Sequence, residues 1–312
     1  MRLLIFGGTG SLGHALVAKY SHGNKIWVAS RDEMKQWEMN MKFPDVKFRI
    51  CDVRDALKVR QVIEAVQPDT IIIAAAMKHI DRCEVETHEC IATNIMGTKN
   101  ILENLAPSVL SVCFVSTDKA CSPVNVYGMC KGISEGMMVE RALSDGSRKY
   151  VTVRYGNVLN SRGSIIPTLH AMGKNTDKKE FTLTHPDMTR FIMTLSQSVD
   201  LIDHALEHAQ SGDIVIPTLI SMKLKDLFEI FSEIYKKPVI VTSLRPGENM
   251  LEALINKTQS RRLVVGQEYM YIKPRGLVDD ALVQDYTSFT NSLSKEGLRE
   301  MLTSLNLLTP SL

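Results

Sequence analysis

The segment Gly7-Gly8-Thr9-Gly10-Ser11-Leu12-Gly13 is the part of this 312-residue chain from which its architecture can be inferred. It follows the apolar segment 3–6 directly and opens a helical segment that runs to about Tyr20. Glycines at these positions allow a tight turn, the approach of a pyrophosphate to backbone N–H groups, and close packing of the helix on the strand. The N-terminus of that helix would face the negative charge. We therefore expect this turn to hold a dinucleotide through Gly7, Thr9, Gly10, Ser11, Leu12 and Gly13.

On the C-terminal side of this turn, apolar strands alternate with helical segments through the first half of the chain. Strands are predicted at residues 25–29, 46–50, 70–74, 112–116 and 151–155, and helices at 57–66 and 88–105. The helix at 88–105 is expected to bury one stripe, formed by Ile91, Ile95, Leu102 and Leu105. Such alternation predicts an α/β fold with a doubly wound, Rossmann-type parallel sheet.

The composition changes after about Gly156. Glycine, proline, threonine and charged residues become more frequent, and helices are predicted near 196–209, 223–235 and 294–305. We expect a dinucleotide-binding Rossmann domain over residues 1–158, whose sheet later segments complete, and a smaller substrate-binding lobe over residues 159–312. Because no linker separates the two parts, they are expected to fold as one cooperative unit.

Bulk properties narrow the class of protein. The hydrophobic content of 44% allows a large core, and the net charge of +2 gives no support for a nucleic-acid-binding surface. The six cysteines form no C-x-x-C pair, so neither a zinc site nor a disulfide framework is expected. The apolar stretches are too short to span a bilayer, and the N-terminus lacks the pattern of a signal peptide. The sequence therefore predicts a cytoplasmic protein with reduced thiols, no membrane contact and no metal.

The residues at the end of the second predicted strand bear on the choice of cofactor. A carboxylate at this place would bind a ribose 2′-hydroxyl and repel a 2′-phosphate. Ser30 and Arg31 occupy it here, with Lys35 close by, and these groups suit a phosphate. We therefore expect NADP, although Asp32, one position later, keeps NAD open.

Asp52 and Val53 follow the third predicted strand, where a side chain can touch the adenine of a dinucleotide. An aspartate at position 52 or 55 that only caps a helix explains the same pattern equally well.

A second informative stretch runs from Ser116 to Lys119 and continues to Tyr127 and Lys131. The Tyr-x-x-x-Lys spacing puts a phenol and an ammonium one turn apart on the same face of a helix. The ammonium is expected to lower the pKa of the phenol, so that a tyrosinate can take a hydroxyl proton while hydride leaves the carbon for a nicotinamide. Thr117 can hydrogen-bond the same substrate oxygen. The stretch predicts an enzyme that oxidises a hydroxyl.

These motifs carry a family resemblance over residues 2 to about 303. The glycine turn and the Tyr-x-x-x-Lys pair resemble those of the extended short-chain dehydrogenase/reductases. Further segments resemble the soluble UDP-N-acetylglucosamine 4,6-dehydratases that invert C5; these are Ala74–His79, Thr93–Thr98, Ser116–Lys119, Arg154–Val158, Ser161–Ser164, Met188–Phe191 and Arg245–Glu248.

Two details indicate the inverting branch. The membrane-anchored, C5-retaining relatives carry an additional N-terminal membrane region and typically a Met at the position of Tyr127, and this chain has neither. The dehydratases that act on glucose nucleotides usually have Asp-Glu after the Thr, where this chain has Asp118-Lys119.

The resemblance implies a redox-neutral dehydration of UDP-N-acetylglucosamine with NADP. Tyr127 and Lys131 would serve the oxidation at C4, a neutral Lys119 would remove the C5 proton, and a protonated Asp118 would give its proton to the leaving 6-hydroxyl. Nearby cations and partial burial could keep the Lys119 amine neutral, although Lys119 could instead be a charge partner of Asp118. The implied product is UDP-2-acetamido-2,6-dideoxy-β-L-arabino-hex-4-ulose.

The same resemblance implies the remaining binding residues. Those expected at the cofactor are Ala74, Ala75, Ala76, Lys78 and Asn94, together with Tyr127 and Lys131. Those expected at the nucleotide sugar are Lys78, Asn157, Thr189, Arg190, Arg245 and Glu248, of which the two guanidinium groups would bind the diphosphate. A homo-oligomer formed through helices such as 88–105 and 129–143 is also implied.

Three alternatives stay open. A C5-retaining dehydratase or a nucleotide-sugar 4-epimerase would use the same fold, but an epimerase does not need the Asp118-Lys119 pair. A non-catalytic, NADP-binding regulatory protein is more remote, because such proteins commonly lose the Tyr or the Lys, and this chain has both Tyr127 and Lys131.

Overall fold

The computed structural model describes residues 1–277 and 284–309. Its strands are β1 (Arg2–Phe6), β2 (Lys25–Ser30), β3 (Lys47–Ile50), β4 (Thr70–Ile73), β5 (Ser111–Val115), β6 (Lys149–Val153), β7 (Asn157–Val158), β8 (Phe181–Leu183), β9 (Thr189–Met193), β10 (Ile214–Pro217), β11 (Ile220–Lys223), β12 (Val239–Val241), β13 (Ala253–Ile255), β14 (Leu263–Val265), β15 (Tyr269–Ile272) and β16 (Tyr286–Thr287).

Its helices are α1 (Ser11–Tyr20), α2 (Glu33–Lys42), α3 (Ala56–Val66), α4 (Ile80–Val85), α5 (Thr87–Ile91), α6 (Gly97–Glu103), α7 (Val126–Ser144), α8 (Ile165–Lys174), α9 (Leu195–His208), α10 (Leu224–Tyr235), α11 (Lys257–Ser260) and α12 (Lys295–Ser304). A π-helical turn (Ala92–Met96) joins α5 to α6, and a 3₁₀ turn (Asp118–Ala120) follows β5.

The central sheet has the strand order β14-β15-β10-β6-β5-β4-β1-β2-β3. The strands from β10 to β3 run parallel, and β15 and β14 are added antiparallel at one edge. The chain starts in the middle of the sheet at β1, builds outward to β3, and then crosses back to β4 on the other side of β1. This is the doubly wound Rossmann arrangement, and the predicted fold class is confirmed.

Apolar layers cover both faces of this sheet. On one face, Val59 and Ile63 of α3 pack with Ile101 of α6 and Met138 of α7. On the other face, α1 and α9 contribute the apolar side chains that cover the strands. Strands buried on both faces need continuous apolar sequence, which is why they could be predicted from short apolar runs.

The predicted strands match the observed ones to within two residues, but α2, α4, α8 and α11 were not predicted. Helix α2 shows the reason most clearly. Met34, Trp37 and Met41 on its outer face are each more than half exposed, while Gln36 is buried. A helix with apolar residues on the solvent side has no clear hydrophobic period.

The single helix predicted at 88–105 is wrong in one respect. The segment is divided into α5, the π turn and α6, and the added residue in the π turn changes which side chains face inward. Ile91, which was expected in the buried stripe, is 38% exposed, whereas Leu102 is buried as expected.

Strands β10, β14 and β15 and helix α9 of the second half belong to the central sheet and its cover, and most of the other elements of that half form a small lobe at the carboxyl ends of the parallel strands. It contains a sheet of order β11-β9-β7 and the strand pairs β12-β8 and β13-β16. Helices α8, α10 and α12 pack on these strands around their own apolar cluster. This lobe brings β13 close to the 3₁₀ turn that follows β5.

Candidate active site

A cavity of about 920 Å³ lies between the carboxyl ends of the parallel strands and the small lobe. In open α/β sheets ligands bind in this crevice, at the point where the strand order reverses. The predicted site residues that line it are Gly7, Thr9, Gly10, Ser11, Leu12, Gly13, Ser30, Arg31, Lys35, Val53, Ala74, Ala75, Ala76, Lys78, Thr117, Asp118, Lys119, Tyr127, Lys131, Asn157, Arg190, Arg245 and Glu248. Three predicted residues lie outside its lining, namely Asp52, Asn94 and Thr189.

The glycine turn has the shape that a dinucleotide requires. Gly7 has a φ of +80°, and a Cβ added to it would lie 2.5 Å from Cα of Ala75. Any other residue would therefore displace the backbone. Gly10, the residue before α1, has no side chain to cap the helix. The first N–H groups of α1 are thus left to a ligand, and the turn fits the pyrophosphate of NAD(P).

The far end of the cavity, at β2 and α2, is lined by Ser30, Arg31 and Lys35. The Asp32 side chain caps α2 by accepting from Lys35 N at 3.1 Å, and its carboxylate pairs with Lys35 Nζ at 2.6 Å. The Arg31 guanidinium is exposed and lies 3.8 Å from the Asp52 carboxylate. Asp32, the carboxylate that would favour NAD, is therefore already held by the helix end and by Lys35.

Asp52, which is predicted to lie beside an adenine, forms an ion pair in this structure. The Arg54 guanidinium holds its carboxylate, with Nε at 2.9 Å and Nη2 at 2.6 Å from Oδ2. This ion pair keeps Asp52 out of the cavity lining, whereas Val53 lines the cavity as expected. The capping alternative applies to Asp55, which accepts from Lys58 N at 3.0 Å at the start of α3.

Asn94 and Thr189 support the cavity from behind rather than line it. Asn94, in the π turn, accepts from Met77 N at 2.8 Å and donates to Met77 O at 2.9 Å, which fixes the segment after β4. Thr189 Oγ1 is hydrogen-bonded to Ser288 Oγ at 2.7 Å. Both side chains are engaged within the protein, and the contacts of Asn94 with the cofactor and of Thr189 with the sugar stay predictions.

Tyr127 and Lys131 lie on the first turns of α7, which packs closely on the 3₁₀ turn. Gly128 makes this approach possible, because a Cβ added there would lie 2.1 Å from the Lys119 carbonyl oxygen. The close packing brings Tyr127 and Lys131 to the same cavity wall as Asp118 and Lys119. The two pairs of proton-transfer groups therefore meet, as the sequence predicted.

The Tyr127 phenol is influenced by a different lysine from the one predicted. Lys131 Nζ donates to the Val115 carbonyl oxygen at 2.7 Å, and burial lowers the pKa of Lys131 to about 8. Burial raises the pKa of Tyr127 to about 12, and the charge of Lys119 and a hydrogen bond with Thr117 oppose this rise. In this structure the Lys131 ammonium donates to the backbone, and the effect of Lys131 on the phenol pKa stays a prediction.

Lys119 is mostly buried and lies between two carboxylates. Its Nζ is 3.0 Å from Asp118 Oδ1 and 3.2 Å from Glu252 Oε1, and Arg190 Nε is 3.7 Å from the same Glu252 atom. Burial alone would lower the pKa of Lys119, but the charges of Asp118 and Glu252 outweigh it and raise the pKa above its ordinary value. The expectation that cations depress this pKa is therefore wrong, since the nearest groups are carboxylates.

Four buried side-chain oxygen atoms of cavity-lining residues have no hydrogen bond among the described residues, and they belong to Thr93, Asp118, Asn157 and Ser164. Asp118 is only 1% exposed, and its Oδ1 accepts from Thr117 Oγ1 at 2.8 Å, but its Oδ2 has no partner. Asn157 Oδ1 is unpartnered in the same way. Because both residues line the cavity, a bound polar ligand would satisfy these atoms.

The two arginines predicted for the diphosphate have different surroundings. Arg190 is 7% exposed, and its Nη1 donates to two backbone carbonyl oxygens, at 2.8 and 3.4 Å. Arg245 is exposed at the mouth of the cavity and pairs with Glu248 at 2.8 Å. Arg190 is thus a fixed cation beside Glu252, and Arg245 is the guanidinium that an entering diphosphate can reach.

Glu252 was not predicted from the sequence. It is 3% exposed and lines the cavity together with Lys119 and Arg190. The available signal was a lone acidic residue directly before the apolar strand β13, four positions after Glu248. Glu252 is buried together with the strand that follows it, and a buried carboxylate needs a charged or hydrogen-bonding partner.

The segment 161–164 reaches across the cavity to the glycine turn. Arg162 N donates to Ser11 Oγ at 2.9 Å, and Lys78 Nζ donates to the Arg162 carbonyl oxygen at 2.7 Å. Burial and the charge of Arg162 lower the pKa of Lys78. These contacts close the chain over the place where the dinucleotide is expected.

Two further properties concern the described residues as a whole. None of their helices is both long and apolar enough to cross a membrane. Nor do their His, Cys, Asp and Glu side chains form a group of three or more that could hold a metal ion.

Comparisons with known proteins agree with this architecture. Residues 3–274 match a family model described as polysaccharide biosynthesis protein. The chain is 35% identical to a UDP-glucose 4-epimerase of Rickettsia canadensis, over 97% of this chain and 96% of the relative. It is similar to the X-ray structure of Pen from Bacillus thuringiensis, with a TM-score of 0.91 and 31% identity over 98% of both chains.

A more distant solved structure shows the fold alone. It is a DesIV double mutant, a dTDP-glucose 4,6-dehydratase from Streptomyces venezuelae with NAD bound. Its TM-score is 0.70 at 20% identity, over 80% of this chain and 87% of that one.

Proposed function

The chain belongs to the polysaccharide biosynthesis protein family, and we propose that it is a UDP-N-acetylglucosamine 4,6-dehydratase that inverts C5 and uses bound NADP. The observation that carries the proposal is the 3.0 Å contact of Lys119 Nζ with Asp118 Oδ1, on the cavity wall that also holds Tyr127. Tyr127 suits the oxidation of a hydroxyl. A lysine paired with a buried acid suits the removal of water from the neighbouring carbons.

Tyr127 and Thr117 serve the 4-hydroxyl of the sugar. Tyr127 takes the hydroxyl proton, and Thr117 hydrogen-bonds the same oxygen. The positive charge of Lys119 assists this step, because it opposes the burial that raises the phenol pKa. When bound, NADP supplies the redox chemistry by accepting the hydride of C4 and returning it to C6.

The Lys119–Asp118 pair supplies a base and an acid from a single proton. The proton of Lys119 Nζ passes to the Asp118 carboxylate across their 3.0 Å contact, which leaves a neutral amine and a protonated acid. The new 4-ketone acidifies the C5 hydrogen, which the amine removes as Asp118 protonates the departing 6-hydroxyl. Water leaves, and both residues return to the ion-paired state.

Inversion at C5 requires a proton from the face opposite Lys119. Solvent supplies this proton, and Tyr127, which acts as a tyrosinate, releases the 4-hydroxyl proton to solvent before the next turnover. This part of the proposal rests on the resemblance stated above, in which C5-retaining relatives typically have a Met where this chain has Tyr127. The expected product is the L-arabino 4-keto-6-deoxy sugar.

The polar side chains at the two ends of the cavity suggest where NADP and the nucleotide sugar bind. Ser30, Arg31 and Lys35 support NADP, because they offer donors to a 2′-phosphate while Asp32 is already paired with Lys35. At the other end, Arg245 is accessible to the diphosphate. Asn157, with its unpartnered oxygen, is available to the sugar.

A nucleotide-sugar 4-epimerase is the second candidate. The R. canadensis relative that is 35% identical is named UDP-glucose 4-epimerase, and this supports it. An epimerase needs Tyr127 for the 4-hydroxyl but makes no use of an acid and a base at C5 and C6. The buried Asp118–Lys119 contact therefore favours the dehydratase.

The test is NMR spectroscopy of the product formed from UDP-N-acetylglucosamine in D₂O. A 4-keto-6-deoxy sugar with deuterium at C5 and the L-arabino configuration is expected. A product with the original C5 configuration would show a retaining dehydratase. UDP-N-acetylgalactosamine without deuterium would show an epimerase, and unconsumed substrate would contradict the choice of sugar.

The proposed enzyme acts as a homo-oligomer. Helices α5 and α7 and the π turn carry apolar side chains that are 38 to 53% exposed, which supports a subunit contact there. These residues are Ile91, Met96, Met129 and Ile133. Sedimentation of the purified protein tests the prediction, and a monomer at micromolar concentration would contradict it.

A further inference from the structure

Glu252 is a buried cavity carboxylate to which the proposed reaction assigns no role. Its Oε1 lies 3.2 Å from Lys119 Nζ and 3.7 Å from Arg190 Nε. We propose that Glu252 is a positioning residue for Lys119, whose amine it holds as a second acceptor beside Asp118 and whose loss of a proton it controls. This inference rests on the proposed function, in which Lys119 acts as the base at C5.

The backbone of Glu252 is held from a distant part of the chain. Glu252 N donates to Ser288 Oγ at 3.0 Å, and Ser288 N donates to the Glu252 carbonyl oxygen at 2.8 Å. Ser288 Oγ is in turn hydrogen-bonded to Thr189 Oγ1 at 2.7 Å, next to Arg190. The backbone of Glu252 is therefore fixed, and its Oε2 accepts from Asn249 Nδ2 at 3.4 Å while Oε1 faces Lys119 and Arg190.

Only one of the two acceptors of Lys119 keeps its charge through the reaction. Asp118 is protonated when it takes the lysine proton and loses that proton to the 6-hydroxyl. During this interval Asp118 cannot hold the amine by charge. Glu252 takes no part in the transfer and has Arg190 as a partner, so it can keep the amine in place while Asp118 changes state.

Charged and titratable groups reach Lys119 from four places. Asp118 precedes it in the 3₁₀ turn, Glu252 lies just before β13, Arg190 lies on β9 and Tyr127 on α7. The negative charge of Glu252 favours the ammonium form of Lys119 and so opposes transfer of its proton to Asp118. Arg190 acts in the opposite sense on Lys119. Burial raises the pKa of Glu252, and Lys119 and Arg190 oppose that rise.

The first test uses Glu252→Gln, which keeps the shape and one acceptor oxygen but removes the charge. Without that charge Lys119 loses its proton more readily. The rising limb of the pH profile for the rate of deuterium incorporation at C5 should therefore shift to lower pH, by about one pH unit or more. Glu252→Ala also removes the acceptor, and its kcat should fall about tenfold or more at the plateau, with a much smaller change in KM.

The matched control is Glu248→Gln, which removes a carboxylate from the same cavity that pairs with Arg245 instead of Lys119. The KM of this variant should rise, while the rising limb of its pH profile for deuterium incorporation at C5 should lie at the same pH as in the unchanged enzyme. A limb that moves equally in both variants would show a general effect of cavity charge and would contradict the specific role of Glu252.

A second readout does not depend on turnover. NMR titration of the Lys119 side chain, assigned by the signal that Lys119→Arg removes, should show a lower pKa in Glu252→Gln than in the unchanged protein. If the unchanged enzyme places no deuterium at C5, the proposed function is wrong, and this titration still decides the role of Glu252. An unchanged Lys119 titration in folded Glu252→Gln that still binds NADP would overturn the inference.

Discussion

The side-chain amide of Asn125 donates to the carbonyl oxygen of Gly247 at 2.9 Å, which joins the start of α7 to the turn that carries Arg245. Its Oδ1 simultaneously accepts from Gly128 N at 2.8 Å and caps the helix. One side chain thus fixes both the helix of Tyr127 and the turn expected to bind the diphosphate.

Asn125→Asp separates these two roles. Aspartate still caps α7 but cannot donate to the Gly247 carbonyl oxygen, and because position 125 is buried its unpaired carboxylate oxygen should also lower the melting temperature. Loss of that bond should raise KM for the nucleotide sugar about tenfold. Asn125→Ala loses the cap as well and should unfold with about 1 kcal/mol less free energy. An unchanged KM in Asn125→Asp would show that the turn is held by other contacts.

Lys119→Met keeps the length of the side chain and removes its charge. Exchange of the C5 hydrogen should fall by about 100-fold or more, because the base is lost. Hydride abstraction should survive and appear as NADPH absorbance at 340 nm on mixing with substrate. The Lys119 charge opposes the rise in the Tyr127 pKa. In the variant, the rising limb of the pH profile for hydride abstraction should therefore shift to higher pH. Full C5 exchange in Lys119→Met would exclude Lys119 as the base.

Arg31→Ala tests the choice of cofactor. The Arg31 guanidinium is exposed at the cavity end formed by β2 and α2, where a 2′-phosphate is expected. Its loss should weaken NADP binding about 10- to 100-fold and change NAD binding much less. Lys42→Ala, at the other end of α2, is the control and should leave both affinities unchanged. Calorimetric titration measures them, and equal losses for NADP and NAD would argue against a phosphate contact.

Gly128→Ala and Gly136→Ala form a matched pair on α7. A Cβ at Gly136 meets nothing within 4 Å, so this change should stabilise the protein by about 0.5–1 kcal/mol through helix propensity. A Cβ at Gly128 would lie 2.1 Å from the Lys119 carbonyl oxygen, so the same change should destabilise by about 1–3 kcal/mol. Turnover should also fall about 100-fold, because α7 moves away from the 3₁₀ turn. Urea unfolding measures the change in stability, and kcat measures the change in turnover. Similar results for the two variants would contradict the close packing of α7 on the 3₁₀ turn at Gly128.

The features that could be predicted depend on local sequence. Buried parallel strands need continuous apolar runs, and the dinucleotide turn needs glycines at fixed positions next to a strand. The Tyr127–Lys131 pair follows from helical spacing. These parts of the site could therefore be placed before any tertiary contact was known.

The features that could not be predicted depend on competition between distant groups. Asp52 has the right position in the chain for an adenine contact, but its ion pair with the Arg54 guanidinium is visible only in the folded structure. The contact of Glu252 with Lys119 likewise joins residues far apart in the chain, and Ser288, further along still, holds the Glu252 backbone. The ionisation of Lys119 likewise depends on which charges surround it after folding, and no local pattern contains that information.

The hydrogen bond from Arg162 N to Ser11 Oγ joins segment 161–164 to the glycine turn, where the proposed function places a dinucleotide that stays bound. An enzyme that returns its hydride in every turnover needs no fresh dinucleotide between cycles. Such an enzyme is insensitive to the ratio of oxidised to reduced nucleotide around it. Its output would follow the supply of nucleotide sugar alone, and starvation that drains reducing power would leave this step unaffected.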